Sequence, residues 1–223
     1  MAATPELYPA SLLQALQRAQ ELGFIGEGPL EDHIAHAAGF AEAAIASGHG
    51  LPGRILDLGS GGGLPGLVLA HLWPAAAIVL LDSMERRTKL LAQAVAASGL
   101  QPRVEVIRER AEVAGRNVRL RGSFELVVAR SFGPPPVAAE CGAPFLQAGG
   151  LLVVSEPPPS PDTGEVTRPK QPERWPDAAL EQLGLRPLRR AEDRFGYQLL
   201  VQEQPCPARF PRRTGVPAKR PLY

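Results

Sequence analysis

The residues best suited to chemistry form a glycine-rich segment, DLGSGGGLPG, at positions 57–66. The segment continues from the apolar run RILDL and leads into a second apolar run with helical spacing, so it is predicted to be a strand-to-helix turn. Glycines in such a turn permit a tight bend and let a ligand approach the main chain. Gly61, Gly63 and Gly66 satisfy G-x-G-x-x-G, which alone is a weak indication of a dinucleotide site.

Two residues of this segment favour S-adenosylmethionine over a dinucleotide. Asp57 ends the predicted strand, where a carboxylate would repel a pyrophosphate but attract the cationic amino group and sulfonium of S-adenosylmethionine. Pro65 removes a backbone N–H from the start of the predicted helix, where a phosphate would need donors. Two alternatives remain. The glycine-rich turn could bind no ligand, or the protein could be a dehydrogenase, which affinity for a nicotinamide cofactor would identify.

Asp82 ends the next predicted strand, where a carboxylate accepts hydrogen bonds from ribose hydroxyls. It could equally be the N-cap of the helix that follows, and the two roles are compatible. From these two segments we predict that the cofactor contacts Asp57, Gly59, Ser60, Gly61, Gly63, Leu64, Asp82, Ser83 and Met84.

Other catalytic arrangements are not indicated. His33 and His36 are close in sequence, but no cysteine or acidic cluster completes a ligand set, so no metal is predicted. The sequence has no G-x-S-x-G segment, and Ser60 has no evident histidine partner. Cys141 and Cys206 form no C-x-x-C pair and are expected to be reduced thiols of a cytosolic protein.

Short apolar runs alternate with helical segments around these residues. Strands are predicted at 54–58, 78–82, 104–107, 124–129 and 151–155, and helices at 64–72 and 84–98. Such an alternation indicates a parallel sheet covered by helices on both faces. Two further strands, at 185–194 and 197–202 with Gly196 in the turn, would add an antiparallel strand.

The remaining segments are predicted to be helices, a loop and a tail. Helices are expected at 12–20, 29–47 and 175–183, and residues 157–176, with seven prolines, are expected to form a loop. Residues 204–223 contain no acidic residue, so they are predicted to be a phosphate-binding arm, with a disordered end as the alternative. The basic residues of this tail are Arg209, Arg212, Arg213, Lys219 and Arg220.

Composition is consistent with one globular unit. A chain of 223 residues with 44% apolar residues can bury a sizeable core, and a formal net charge of +1 imposes no overall field that selects a nucleic-acid or membrane partner. The N-terminus lacks the basic and apolar regions of a signal peptide, and no stretch approaches the ~20 apolar residues of a membrane span. We therefore expect a cytoplasmic monomer without a membrane partner.

Several segments resemble the bacterial glucose-inhibited division protein B family. They read ILDLGSGGGLPGLVLA, LLDSMERRTKLL, RAE and VVARSF, and the C-terminal FPRRTGVPAKRPL resembles the basic tail of that family. Its members are guanine-N7 methyltransferases of small-subunit ribosomal RNA. The resemblance implies a Rossmann-like class I methyltransferase with a mostly parallel seven-stranded sheet, an antiparallel C-terminal strand, helices on both faces and an N-terminal helical extension.

The resemblance also implies a division of the chain and a set of partners. Residues 1–50 would form the helical extension, 51–203 the S-adenosylmethionine-binding methyltransferase domain, and 204–223 the basic tail. The cofactor would be S-adenosylmethionine, with S-adenosylhomocysteine as product. The substrate would be small-subunit ribosomal RNA or an assembly intermediate.

Site residues carried over from the resemblance lie at the ends of predicted strands. Gly59 and Leu64 would line the methyl-donor pocket, and Ala111 and Glu112 would contact the adenosine. Arg130 would be the catalytic residue at the active-site mouth, where it would contact the cofactor or the guanine. A surface salt bridge is the alternative for Arg130, and a helix-dipole role is the alternative for Glu112. Guanine N7 carries a lone pair and no proton, so its methylation requires positioning and no strong base.

Two segments depart from the family pattern. Many members carry His-x-x-Asp/Asn-Ser in the N-terminal helical region, whereas the segment from His33 reads HIAHA and keeps only the histidine. Members often have Lys-Gly after the fifth strand, whereas this chain has Glu156 and Pro157, which reverses a charge where RNA would approach. A diverged paralogue that methylates a small molecule and a non-catalytic S-adenosylmethionine-binding or assembly protein therefore remain as alternatives.

Overall fold

The computed structural model describes residues 8–157, 174–192 and 194–223, and within them one seven-stranded sheet flanked by helices. The strands are β1 (Arg54–Leu58), β2 (Ala77–Asp82), β3 (Val104–Arg108), β4 (Phe124–Ala129), β5 (Leu146–Glu156), β6 (Leu185–Glu192) and β7 (Gly196–Gln202). The helices are α1 (Ala10–Glu21), α2 (Leu30–Ala46), α3 (Gly66–Leu72), α4 (Glu85–Ala97), α5 (Ala111–Ala114), α6 (Pro135–Gly142), α7 (Asp177–Glu181) and α8 (Val216–Lys219). None of the helices in this described part is long and apolar enough to cross a membrane.

The strand order confirms the predicted architecture. The sheet runs β3-β2-β1-β4-β5-β7-β6, with parallel pairing from β3 through β5 and antiparallel pairing of β7 with both β5 and β6. The carboxyl ends of β1, β2 and β4 therefore meet at one edge of the sheet. In open α/β sheets, ligands bind outside this edge.

Alternate strand residues enter two separate cores because successive side chains of a strand point to opposite faces. Ile55 belongs to the core that includes α1 to α4, whereas Leu56 belongs to the core that includes α5, α6 and α7. Leu12 of α1 and Phe40 of α2 are fully buried in the first core. The N-terminal extension is thus packed onto the sheet as part of one hydrophobic unit.

Several predicted boundaries were wrong for identifiable reasons. The strand expected at 151–155 begins at Leu146, and its register with β4 shifts after Phe124. Gly196 was expected in a turn but is the first residue of β7. Helix α6 was not predicted because prolines surround its start, yet Pro135 occupies the first turn, where a missing N–H costs nothing. The loop predicted at 157–176 lies mostly outside the described residues, as do residues 1–7.

The C-terminal tail is docked on the domain, so the alternative of a disordered end was wrong. Arg121 donates hydrogen bonds to the carbonyls of Cys206, Pro207 and Phe210, at 2.7, 3.0 and 2.8 Å. Phe210 is buried in the second core. The tail therefore has a fixed position relative to the carboxyl edge of the sheet.

Candidate functional site

The glycine-rich segment forms a tight turn against the end of β2. The N–H groups of Gly59 and Ser60 both donate to the carbonyl of Leu81 at 2.9 Å. Gly59 has φ +75°, and a Cβ added there would lie 2.5 Å from Cδ2 of Phe132. A side chain at position 59 would therefore combine backbone strain with a clash, so the close approach of Phe132 requires glycine.

Asp57 lies beneath this turn. Its Oδ2 accepts a hydrogen bond from the N–H of Gly66 at 2.9 Å, whereas Oδ1 has no hydrogen-bond partner among the residues that the structure describes. Burial raises the pKa of Asp57 to about 7, against the lowering effect of the Gly66 hydrogen bond. The side chain is fully buried and holds the turn through Gly66, and its direct contact with a cofactor stays a prediction.

Gly63 also serves packing in place of the predicted cofactor contact. Its φ is +102°, and an added Cβ would lie 2.5 Å from Cδ1 of Leu67 and 3.2 Å from Cδ2 of Leu91. The glycine thus lets α3 and α4 approach the turn closely.

Asp82 ties the turn to the end of β2. Its Oδ1 accepts the N–H of Met84 at 2.8 Å and its Oδ2 accepts the N–H of Gly61 at 3.0 Å. Nη1 of Arg87 lies 3.5 Å from the same Oδ2. The alternative of Asp82 as the N-cap of α4 was wrong, because Met84 is the N-cap residue and Asp82 fixes the turn before it.

A cavity of about 280 Å³ opens beside Asp82 at the carboxyl edge of the sheet. It brings together the predicted residues Gly59, Asp82, Ser83, Met84, Ala111 and Glu112. Residues of its wall that sequence reasoning missed are Leu81, Arg87, Glu109, Arg110, Ser131, Phe132, Val137, Cys141 and Ala218. Its walls are partly polar and partly apolar, which suits a nucleoside.

A second cavity of about 160 Å³ adjoins the first on the other side of the glycine turn. It contains the predicted residues Gly59, Ser60, Gly61, Leu64 and Arg130, and in addition Phe24, Ile25, Gly26, Gly62, Arg87 and Ser131. Gly59, Arg87 and Ser131 border both cavities. Ser131 is the only non-glycine residue in the described part of the chain with positive φ, +53°, which places local backbone strain at this junction.

Arg130 directly follows β4 and points towards α2. Its Nη2 lies 2.7 Å from Nδ1 of His33, and its Nη1 lies 3.4 Å from the carbonyl oxygen of the same residue. Burial lowers the pKa of Arg130, but a guanidinium stays charged in proteins. The described residues offer Arg130 no carboxylate ion pair, so the surface salt bridge considered as an alternative was wrong.

Two acidic residues hold the tail beside the first cavity. Oε1 of Glu112 accepts the N–H of Gly215 at 2.8 Å, and the adenosine contact expected for this residue stays a prediction. Glu140 is fully buried and accepts hydrogen bonds from the Nε and backbone N–H of Arg212, both at 2.8 Å. Arg212 is therefore a tail anchor, and its contact with RNA stays a prediction.

The carboxylate of Glu156, which departs from the family pattern, is paired with a guanidinium and an indole N–H inside the fold. Its carboxylate accepts hydrogen bonds from Nε of Arg174 at 2.7 Å and Nε1 of Trp175 at 3.1 Å. The Glu156 side chain is only 2% exposed. It therefore does not present an unpaired negative charge at the surface.

These features define a class of protein. A Rossmann-like sheet, a glycine turn after β1 and an acidic residue at the end of β2 are the parts of a class I S-adenosylmethionine-dependent methyltransferase. Solved structures show the same fold. An O-methyltransferase from Bacillus cereus in complex with S-adenosylhomocysteine superimposes with a TM-score of 0.60 at 14% identity, over 87% of this chain and 91% of the other. A putative O-methyltransferase from Klebsiella pneumoniae gives the same TM-score and identity, over 87% and 90%.

Sequence comparison identifies the family. Residues 30–156 match the family model described as rRNA small subunit methyltransferase G. The protein of that name from Prochlorococcus marinus (strain MIT 9303) is 42% identical over 77% of this chain and 68% of its own length. The one from Rubrobacter xylanophilus is 32% identical over 96% and 81%. The chain belongs to the rRNA small subunit methyltransferase G family, as its segments indicated.

Proposed function

We propose that this protein transfers the methyl group of S-adenosylmethionine to N7 of a guanine in small-subunit ribosomal RNA. The observation that carries the proposal is the pair of adjoining cavities that share Gly59, Arg87 and Ser131 at the carboxyl edge of the sheet, in a member of this family. The identity of the methylated atom rests on the family resemblance.

The two cavities fit the two halves of the cofactor. In the larger cavity, the Asp82 carboxylate is an acceptor for ribose hydroxyls, and Val137 and Phe132 supply apolar surface for a base. In the smaller cavity, Arg130 supplies a positive charge for the carboxylate of the methionine part. Glycines at Gly59 and Gly61 leave the space that a Cβ would reduce.

The proposed reaction makes modest demands on the side chains. S-adenosylmethionine, when bound, supplies an electrophilic methyl group on a positively charged sulfur. Guanine N7 is an acceptor without a proton, so no residue needs to act as a general base. The chain contributes by fixing the two reactants and excluding water, and Arg130 and Phe132 stand at the cavity walls where this positioning takes place.

The docked tail supports an RNA substrate. Its side chains Arg209, Arg213, Lys219 and Arg220 are exposed, and Ala218 of the same segment lines the larger cavity. A fixed cationic surface beside the cavity would bind backbone phosphates and orient the RNA relative to the methyl group. The internal pairing of Glu156 removes the charge reversal as an objection. We further propose that the protein acts as a cytoplasmic monomer.

Calorimetry with S-adenosylhomocysteine tests the cofactor site. We expect the wild-type protein to bind S-adenosylhomocysteine and to show no affinity for a nicotinamide dinucleotide. Asp82→Asn should bind S-adenosylhomocysteine about 10- to 100-fold more weakly than wild type, because one charged acceptor is removed. Glu21→Ala, on the exposed face of α1, is the matched control and should bind as wild type. Equal affinity in Asp82→Asn and wild type would refute the assignment of the larger cavity to the nucleoside.

A further inference from the structure

His33, at the start of α2, makes hydrogen bonds with both of its ring nitrogens. Nη2 of Arg130 lies 2.7 Å from Nδ1. Because a guanidinium can only donate, Nδ1 is the acceptor and carries no proton. Nε2 lies 3.0 Å from the carbonyl oxygen of Gly26 and 3.1 Å from that of Glu27, and carbonyl oxygens can only accept, so Nε2 carries the proton. One neutral tautomer satisfies all of these contacts.

The contacts of His33 join two walls of the smaller cavity. Arg130 and Gly26 both line this cavity, although they lie on segments far apart in the sequence. Gln20 also holds the same loop, since its Nε2 donates to the carbonyls of Gly26 and Gly28 at 2.9 and 2.8 Å. The loop therefore has two anchors, whereas the only hydrogen bonds of the Arg130 guanidinium in the described part of the chain go to His33.

The neutral state of His33 has an electrostatic consequence. Asp57 and Tyr197 act on Arg130 through space, but neither forms a hydrogen bond with it among the described residues. An acceptor without charge fixes the guanidinium while leaving its positive charge uncancelled, unlike a carboxylate partner. The charge therefore remains available to an anionic ligand group in the smaller cavity.

The other histidine of the segment has a different environment. The ring of His36 stacks on Phe195 with centroids 4.7 Å apart, and its Nε2 has no hydrogen-bond partner within the described part of the chain. Burial, followed by the charge of Arg130, lowers the pKa of His36 to about 4. His36 therefore packs as a neutral ring, and only His33 contacts the arginine.

We propose that His33 is a positioning residue, which holds Arg130 in the orientation that binds the methionine carboxylate of the cofactor. The proposal rests on the proposed function. The two ring nitrogens have different roles in this proposal. The Nδ1 contact orients the guanidinium of Arg130, and the Nε2 contact secures a loop that Gln20 also holds.

Two substitutions separate these contacts. In His33→Asn the side-chain oxygen can replace Nδ1 as acceptor, but no atom reaches the position of Nε2. In His33→Gln the amide can reach the Gly26 carbonyl, but no acceptor remains at the position of Nδ1. His49→Gln is the matched control, because His49 is exposed and lines neither cavity. Thermal unfolding of each variant verifies that it is folded.

The first readout is the affinity for S-adenosylhomocysteine. We expect His33→Gln to weaken binding by about 10- to 100-fold and His33→Asn to stay within about threefold of wild type, because only the former loses a hydrogen bond to a charged group. His33→Gln combined with Arg130→Ala should bind no more weakly than Arg130→Ala alone, since His33 acts through Arg130. Nitrogen-detected NMR of the ligand-free protein should show His33 protonated at Nε2.

The outcomes distinguish this inference from the proposed function. If wild type fails to bind S-adenosylhomocysteine, the proposed function is wrong and the inference falls with it. If wild type binds and Arg130→Ala weakens binding, the proposed function survives. In that case, unchanged affinity in His33→Gln, additive losses in the double variant, or a proton on Nδ1 would each overturn the positioning role.

Discussion

Adjacent arginines in the tail are predicted to have opposite roles. Arg212 donates to the fully buried Glu140, whereas Arg213 is exposed and pairs with no acid among the described residues. Of the donors to Glu140 in the described residues, Arg212→Ala leaves only the backbone N–H of residue 212. Removing one partner of a buried ion pair costs about 3–5 kcal/mol. Because the Arg212 side chain is 28% exposed, solvent reduces this cost, and we expect about 2–4 kcal/mol.

Urea unfolding measures this difference directly. Arg212→Ala should lower the free energy of unfolding by the stated amount, and Arg213→Ala should change it by less than about 0.5 kcal/mol. The order should reverse for RNA, where Arg213→Ala should reduce the salt dependence of binding by about one phosphate contact. Equal stability of the two variants, together with a reduced salt dependence in Arg212→Ala, would refute the assignment of Arg212 as an anchor and restore it to the RNA surface.

Three further substitutions test the site. Gly59→Ala should destabilise the fold by about 2–5 kcal/mol, because it adds the clash with Phe132 to the strain of a left-handed backbone. Gly149→Ala is the control, since Gly149 has φ +81° but open space around it, and it should cost only about 1–2 kcal/mol. Equal costs in urea unfolding would contradict the clash. Burial raises the pKa of Asp57 from 3.8 to about 7, so ionisation of Asp57 lowers the free energy of unfolding as pH rises through that range. Asp57→Asn should therefore flatten the decline in unfolding free energy measured between about pH 4.5 and 7.5. Glu156→Lys introduces the lysine that the family resemblance led us to expect but places it against Arg174, and it should lower the unfolding free energy by about 3 kcal/mol or more. An unchanged melting temperature would contradict the internal pairing.

The sheet and the glycine turn were predictable from local sequence. Apolar runs such as RILDL and FELVVA identify buried parallel strands, and the carboxyl ends of such strands meet at one edge. This reasoning placed Gly59, Asp82 and Arg130 in one region. In the structure Gly59 and Asp82 line the larger cavity, and Gly59 and Arg130 line the adjoining smaller one. Strand β5 was underestimated because its first residues include two glycines, which local pattern does not assign to a strand.

Contacts between distant segments could not be predicted in this way. His33 and Arg130 are 97 residues apart, and Glu140 and Arg212 are 72 apart. The residues next to His33 in an alanine-rich helix, and those next to Arg212 in a basic tail, do not indicate which distant residue each side chain contacts. The same limitation applies to residues 24–26, which enter the smaller cavity only because α1 and α2 pack on the sheet.

The central claim is that the chain methylates N7 of a guanine in small-subunit ribosomal RNA. The most direct measurement is transfer of tritium from labelled S-adenosylmethionine to small ribosomal subunits that lack the modification, followed by cleavage chemistry specific for N7-methylguanosine. The account predicts label in the RNA at an N7-methylguanosine, with loss of transfer in Arg130→Ala. Binding of S-adenosylmethionine with no label in the subunits or in their RNA would contradict the claim and indicate a diverged, small-molecule substrate.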